Sequence, residues 1–238
     1  MKNIATITLK ELKAYLTSPM AYIVTGIFLV LTGTFFTTYL AATAYSDTSI
    51  RGFLNTGSLL LLLFASILTM RLIAEEKKMG TWELLLTAPV RDAEVIIGKF
   101  LGSLGILVGM LVLTLYYPIL LELFGDPDWG PIGTSYLGLF LLGSTSLAVG
   151  IFASALTSNQ IVAAVVSGGI LFALWFIGMA SDFAPGGPGE FFSYISLSYH
   201  FSDFTRGIVD TRAIIYYLSV TALFLYLAIR SLETGRWG

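Results

Sequence analysis

"RLIAEEKKMGTWELLLTAPVRDAEVIIGK", residues 71–99, gathers five acidic and five basic side chains, although only 12% of the 238-residue chain is charged. Long apolar runs stand on either side of it. Hydrophobic residues make up 56% of the chain and the mean hydropathy is +0.83. Soluble domains average about 45–50% apolar residues with glycine counted in, and about 25% charged ones. The balance is therefore that of an integral membrane protein, interrupted by one polar stretch. There is no cysteine, hence no disulfide, thiolate metal site or thiol nucleophile. A formal net charge of -2 gives no footing for a nucleic-acid partner.

Working outward from the polar stretch, a helix needs roughly 20 mostly apolar residues to cross about 30 Å of hydrocarbon. Six segments meet that length: 19–45, 53–73, 95–121, 131–156, 160–180 and 213–229. Ser18 is placed to cap the first, with Pro19 in its opening turn; Asp92 is placed to cap the third, and Pro131 suits the first turn of the fourth. Gly168, Gly169 and Gly178 dilute the fifth, which glycine-tolerant membrane helices allow. The expected fold is an all-α membrane protein, a single domain over residues 1–238.

Basic residues set the direction. With the N-terminus in the cytoplasm, Lys2, Lys10, Lys13, Arg71, Lys77, Lys78, Arg91, Lys99, Arg230 and Arg236 fall inside, and Arg51, Arg206 and Arg212 outside. This satisfies the positive-inside rule with both termini cytoplasmic. The outer loop "LELFGDPDWGP" carries Glu122, Asp126 and Asp128 and no basic residue. The N-terminus, "MKNIATITLKELKAYLTSPMAYIV", delays its apolar run to about residue 20 and reads as a retained element rather than a secretory signal. Within it, residues 3–17 form an amphipathic pattern with Ile4, Leu9, Leu12 and Leu16 on one face. Such a helix rests in the inner headgroup layer with its lysines toward anionic lipid.

Between their ends the spans hold no Asp, Glu, Lys, Arg or His. Ion-coupled carriers commonly keep such residues in mid-membrane, so proton-driven transport is disfavoured. His200 is the sole histidine and reads as an ordinary interfacial residue; no His-Glu-x-x-His or Gly-x-Ser-x-Gly motif is present. No Gly-x4-Gly-Lys-Ser/Thr loop occurs either, so any ATP is bound by another polypeptide and this chain is not an enzyme. Gly98, Gly102, Gly105 and Gly109, then Ser146, Gly150 and Ser154, put small residues at helical spacing, which reads as close packing within the chain.

The topology puts residues 74–95 on the cytoplasmic side. Gly80 and Thr81 interrupt the stretch; Thr81 can cap a short helix with Glu83 in its first turn, and Trp82, Leu85 and Leu86 share one face. Pro89 stops it. Mixed charges around an aromatic anchor suit a protein partner better than a lipid surface.

"RLIAEEKKMGTWELLLTAPVRDAEVIIGKFLGS" resembles the signature of ABC-2-type permeases, in which this run follows the second span and contains the coupling helix. "FASALTSNQIVAAVVS", residues 152–167, resembles that family's junction of spans four and five. "SYHFSDFTRGIVDTRAIIYYLSV", residues 198–220, resembles the outer segment and sixth span of the gliding-motility-associated branch, with the nitrous oxide reductase maturation permeases as near neighbours. The likeness covers essentially the whole chain.

What the resemblance implies is a half-transporter in a bacterial inner membrane: two permease chains and two cytoplasmic ATPase subunits that bind ATP and Mg. The second permease would be identical or a related chain with a large extracytoplasmic domain. The ATPase contact carries over to Glu75, Glu76, Lys77, Lys78, Met79, Gly80, Thr81, Trp82 and Glu83. The expected activity is ATP-driven export, with mechanotransmission to extracytoplasmic partners as the alternative. The outer segment, residues 181–211, is too apolar to be solvated and is expected to form short helices at the outer leaflet. The resemblance implies an outer lid there, with Phe191, Phe192, Tyr194, Tyr199, Phe201 and Phe204 as its gate; an aromatic belt anchoring span six is the other reading.

Overall fold

The computed structural model describes residues 2–42, 51–81, 90–124, 127–182 and 187–234, and among these no strand occurs. Helix α1 (Lys2–Thr17) leads through Ser18 into α2 (Pro19–Ala42). Helix α3 (Arg51–Thr69) is followed by the five-residue α4 (Ala74–Lys78), and α5 (Asp92–Thr114) by α6 (Tyr116–Phe124). Then come α7 (Trp129–Leu156), α8 (Gln160–Phe176), a 3-10 turn (Ile177–Asp182), α9 (Gly187–Ile195), α10 (Leu197–Thr205) and α11 (Thr211–Thr234). Among the described residues, six helical stretches are long and apolar enough to cross a membrane, and they fall on the six segments read from the sequence. The short outer helices expected between the last two spans are α9 and α10.

The third span is broken at Leu115, and the cause is Pro118. A proline ring clashes with the carbonyl four residues before it, here that of Thr114, and removes the hydrogen bond that would cross the break. The Thr114 hydroxyl instead donates to the Leu111 carbonyl at 2.7 Å and accepts from Tyr136 on α7 at 3.2 Å.

Helix α7 is the axis of the bundle, buried on almost all sides over residues 139–155 and packed against α3, α5, α8, α10 and α11. Lipid tails are as apolar as leucine, so helices in a bilayer associate through close packing and hydroxyl bonds rather than exclusion of water. Both devices are present. Thr145 on α7 and Thr221 on α11 bring their hydroxyls to 2.9 Å, and Ser66 on α3 and Ser167 on α8 to 3.0 Å.

One capping assignment changes. Asp92 is the first residue of α5 and Arg91 its cap; the Glu94 carboxylate accepts the Arg91 backbone N–H at 3.1 Å. At the fourth span the Asp128 carboxylate accepts from the Gly130 N–H at 3.1 Å, with Pro131 in the first turn as expected.

Helix α1 also makes a contact within the chain beyond the expected interfacial one. Leu9 and Leu16 are exposed, at 57% and 51%, while Ile7 and Glu11 pack on α5 and Tyr15 on α3. Asn3 donates to Glu94 at 3.1 Å, a methyl group at Gly98 would come within 2.7 Å of Ile7, and one at Gly102 within 2.7 Å of Glu11. Successive turns of the two helices therefore match in order, and α1 runs alongside the first half of α5. The glycine spacing in the third span serves this contact within the chain.

Candidate functional site

The polar stretch begins where α3 ends. Ser154, at the end of α7, accepts the backbone N–H groups of Ile73 and Ala74 at 3.1 and 3.0 Å, and donates to the Met70 carbonyl at 3.1 Å. A helix of five residues cannot hold itself together in water, because nucleation costs more than one turn returns. Ser154 supplies partners for the amides at the start of α4. Lys77 adds a second hold, donating to the Ala155 carbonyl at 2.5 Å. After Lys78 the chain turns at Gly80, whose φ of 70° lies in the left-handed region that glycine alone adopts without strain.

Beneath α4 lies a buried charge cluster. The Lys99 ammonium, on α5, sits 2.8 Å from Glu11 of α1 and 2.8 Å from Glu76 of α4. Its side chain is 3% exposed, against 11% for Glu11 and 19% for Glu76. Two carboxyl groups thus share one ammonium, and among the described residues Glu76 Oε2 is buried without a hydrogen-bond partner. The basic-residue count puts Lys99 on the cytoplasmic side; the structure buries it two turns inside α5, and this corrects the reading that the spans hold no ionisable group between their ends. A lysine placed that far into an apolar run was the available signal. Glu11 gave none by itself, being flanked by Lys10 and Lys13 in a pattern that looks solvated.

Next to the cluster, Tyr15 of α1 donates its phenol to the Leu68 carbonyl of α3 at 2.6 Å, and burial raises its pKa well above the ordinary tyrosine value. The Arg71 guanidinium lies over the Tyr15 ring at 4.8 Å and donates to Ser18 Oγ at 3.3 Å. Ser18 thus marks the α1–α2 corner and engages Arg71. Helices α1, α3, α4, α5 and α7 all meet at this end of the bundle.

The residues assigned to the partner contact divide in two. Glu76 and Lys77 turn inward to Lys99 and Ala155, and Glu75 is half-buried. Lys78, Met79, Gly80 and Thr81 are exposed, Met79 at 61%. Trp82 and Glu83, with Leu85 and Leu86, lie outside the described residues.

The gate residues also separate. Phe201 and Phe204 are fully buried, and a methyl group at Gly138 of α7 would come within 2.8 Å of Phe204 Cβ. Phe191, Tyr194 and Tyr199 are exposed and Phe192 half-buried. His200, expected as an ordinary interfacial residue, is 3% exposed, stacked on Tyr216 at 4.1 Å and bonded through Nε2 to the Tyr194 carbonyl at 2.9 Å. Tyr217 donates to the Leu197 carbonyl at 2.9 Å, and Ser196 and Ser198 donate to the Trp175 carbonyl at 3.1 and 2.9 Å. The outer segment is bonded to α8 and α11.

Six spans among the described residues, one of them the buried axial helix, define a multi-pass membrane protein, with a braced polar segment at one end of the bundle and short apolar helices at the other. The family model described as ABC-2 family transporter protein matches residues 5–228, and the chain belongs to that family. No curated protein matches it.

Proposed function

We propose that this chain is the membrane subunit of an ATP-driven exporter, moved by a separate cytoplasmic ATPase subunit that docks on residues 75–83. The observation that carries this reading is the division of that segment. Glu76 and Lys77 anchor it to α5 and α7, while Lys78, Met79 and Thr81 beside them are exposed. A surface loop with no mechanical role has no need of bonds to two spans. A docking element that must pass on a displacement does.

The positive-inside count supports a cytoplasmic position for this end of the bundle, and the sequence resemblance supports a bacterial inner membrane. Two copies, or this chain with a related permease, would complete the path. The sequence likeness to gliding-motility permeases favours the second arrangement. Transmission of motion to extracytoplasmic partners, without a transported solute, is a second reading. It is supported by the bundle's interior, where Thr145, Thr221, Ser66 and Ser167 spend their hydroxyls on one another.

The test is reconstitution in liposomes with the cognate ATPase subunit, with and without ATP and an uncoupler. Activity that needs the ATPase and survives the uncoupler supports the proposal. Gradient-driven transport by the lone chain overturns it, and hydrolysis that never moves a solute selects the second reading.

A further inference from the structure

We infer that Lys99 is a positioning residue that joins α1 to the docking segment, so that the two move as one body when the ATPase moves them. The inference rests on the docking role proposed for residues 75–83.

Its basis is the geometry of the buried cluster. One ammonium, 2% exposed as a residue, holds carboxylates from two elements at the same distance of 2.8 Å. Glu11 stands at the middle of α1 and Glu76 inside α4, and both are separated in sequence from Lys99, by 88 and 23 residues. Charges taken out of water attract strongly, and a buried carboxylate without its cation is costly. Displacing α4 away from Lys99 would leave the Glu76 carboxylate, whose second oxygen already lacks a partner, with no compensation at all. Displacing α1 would do the same to Glu11. The lowest-cost motion keeps all three groups together. Because α1 continues into α2 through a single residue, Ser18, a push on α4 reaches the first span by this route as well as the fourth through Ser154.

The chain has no cysteine, so spin labels can be placed singly or in pairs at exposed positions. One pair, Lys13→Cys with Met79→Cys, reports α1 against the docking segment. A second, Met79→Cys with Leu156→Cys, reports the segment against α7. The background variant is Glu11→Gln/Glu76→Gln/Lys99→Met, which removes the charges together and so strands none. In lipid nanodiscs the first pair should give one narrow distance, and the triple variant should lose that narrowness while the second pair keeps it, since Ser154 and Lys77 are intact. In the complex, nucleotide trapping should leave the first distance unchanged. A triple variant as narrow as the parent in the first pair overturns the inference, as does a first distance that shifts on trapping in the parent. If no ATPase subunit binds, the docking reading fails, and the nanodisc measurement still decides whether Lys99 joins the two elements.

Discussion

Thr69 of α3 and Gly150 of α7 cross with no space between them: a methyl group on Gly150 would stand 1.8 Å from Thr69 Oγ1 and 2.8 Å from its Cβ. The crossing lies one helical turn from Ser154, which holds the start of α4. Tight contact here therefore sets the height at which the polar segment that begins with α4 leaves the bundle.

Gly150→Ala should force α3 and α7 apart. Overpacking of this kind costs about 1–3 kcal/mol. Thermal unfolding in detergent should show the loss, and adding Thr69→Ala should recover part of it. Gly168, with open space around it, is the control, and Gly168→Ala should stay within about 0.5 kcal/mol of the parent.

Ser154→Ala removes one hydroxyl that serves Ile73, Ala74 and Met70 together. Leaving a buried donor unpaired costs about 1–3 kcal/mol. Amide exchange at Ile73 and Ala74 should accelerate, while exchange in the middle of α7 stays slow. Unaltered exchange at those two amides would show that Ser154 does not hold α4.

His200 carries a pH dependence whose sign follows from its burial. Desolvation lowers its pKa, opposed by the Tyr194 carbonyl and by Asp203 and Asp210. The unfolded imidazole takes up its proton at about pH 6.5, the folded one only at lower pH. Stability from this group is therefore complete above that value and declines as pH falls through it toward the folded pKa. Melting temperatures from pH 7.5 down to 5 should fall, and His200→Phe should fall less over the same range.

Orientation is checked with single cysteines. Lys78→Cys and Asp128→Cys are both exposed and lie at opposite ends of the bundle. An impermeant thiol reagent added to intact cells should label only residue 128. Labelling at 78 would reverse the topology.

The six spans were legible because bilayer thickness imposes a length that few other structures share. The polar segment between the second and third spans was legible because so much of the chain's charge stood in it. The buried face of α1 was not. Apolar periodicity favours Leu9 and Leu16, whereas the face in use mixes Ile7 with Glu11 and Tyr15, whose polar ends find partners on α5 and α3. Lys99 was missed for a related reason, since counting basic residues by side treats each as solvated. The position of His200 depends on Tyr194 and Tyr216, and the distance between those tyrosines in the sequence hides their meeting. The break at Leu115 could have been read from Pro118.

The claim that a cytoplasmic ATPase moves this chain through its exposed segment is tested most directly by crosslinking in cells. A photoactivatable residue in place of Met79, exposed at the tip of the segment, should capture one polypeptide carrying a phosphate-binding Gly-x4-Gly-Lys-Ser/Thr loop, and the same residue in place of Tyr199 at the far end should not. Capture of no such protein at position 79, or equal capture at 199, would contradict the account.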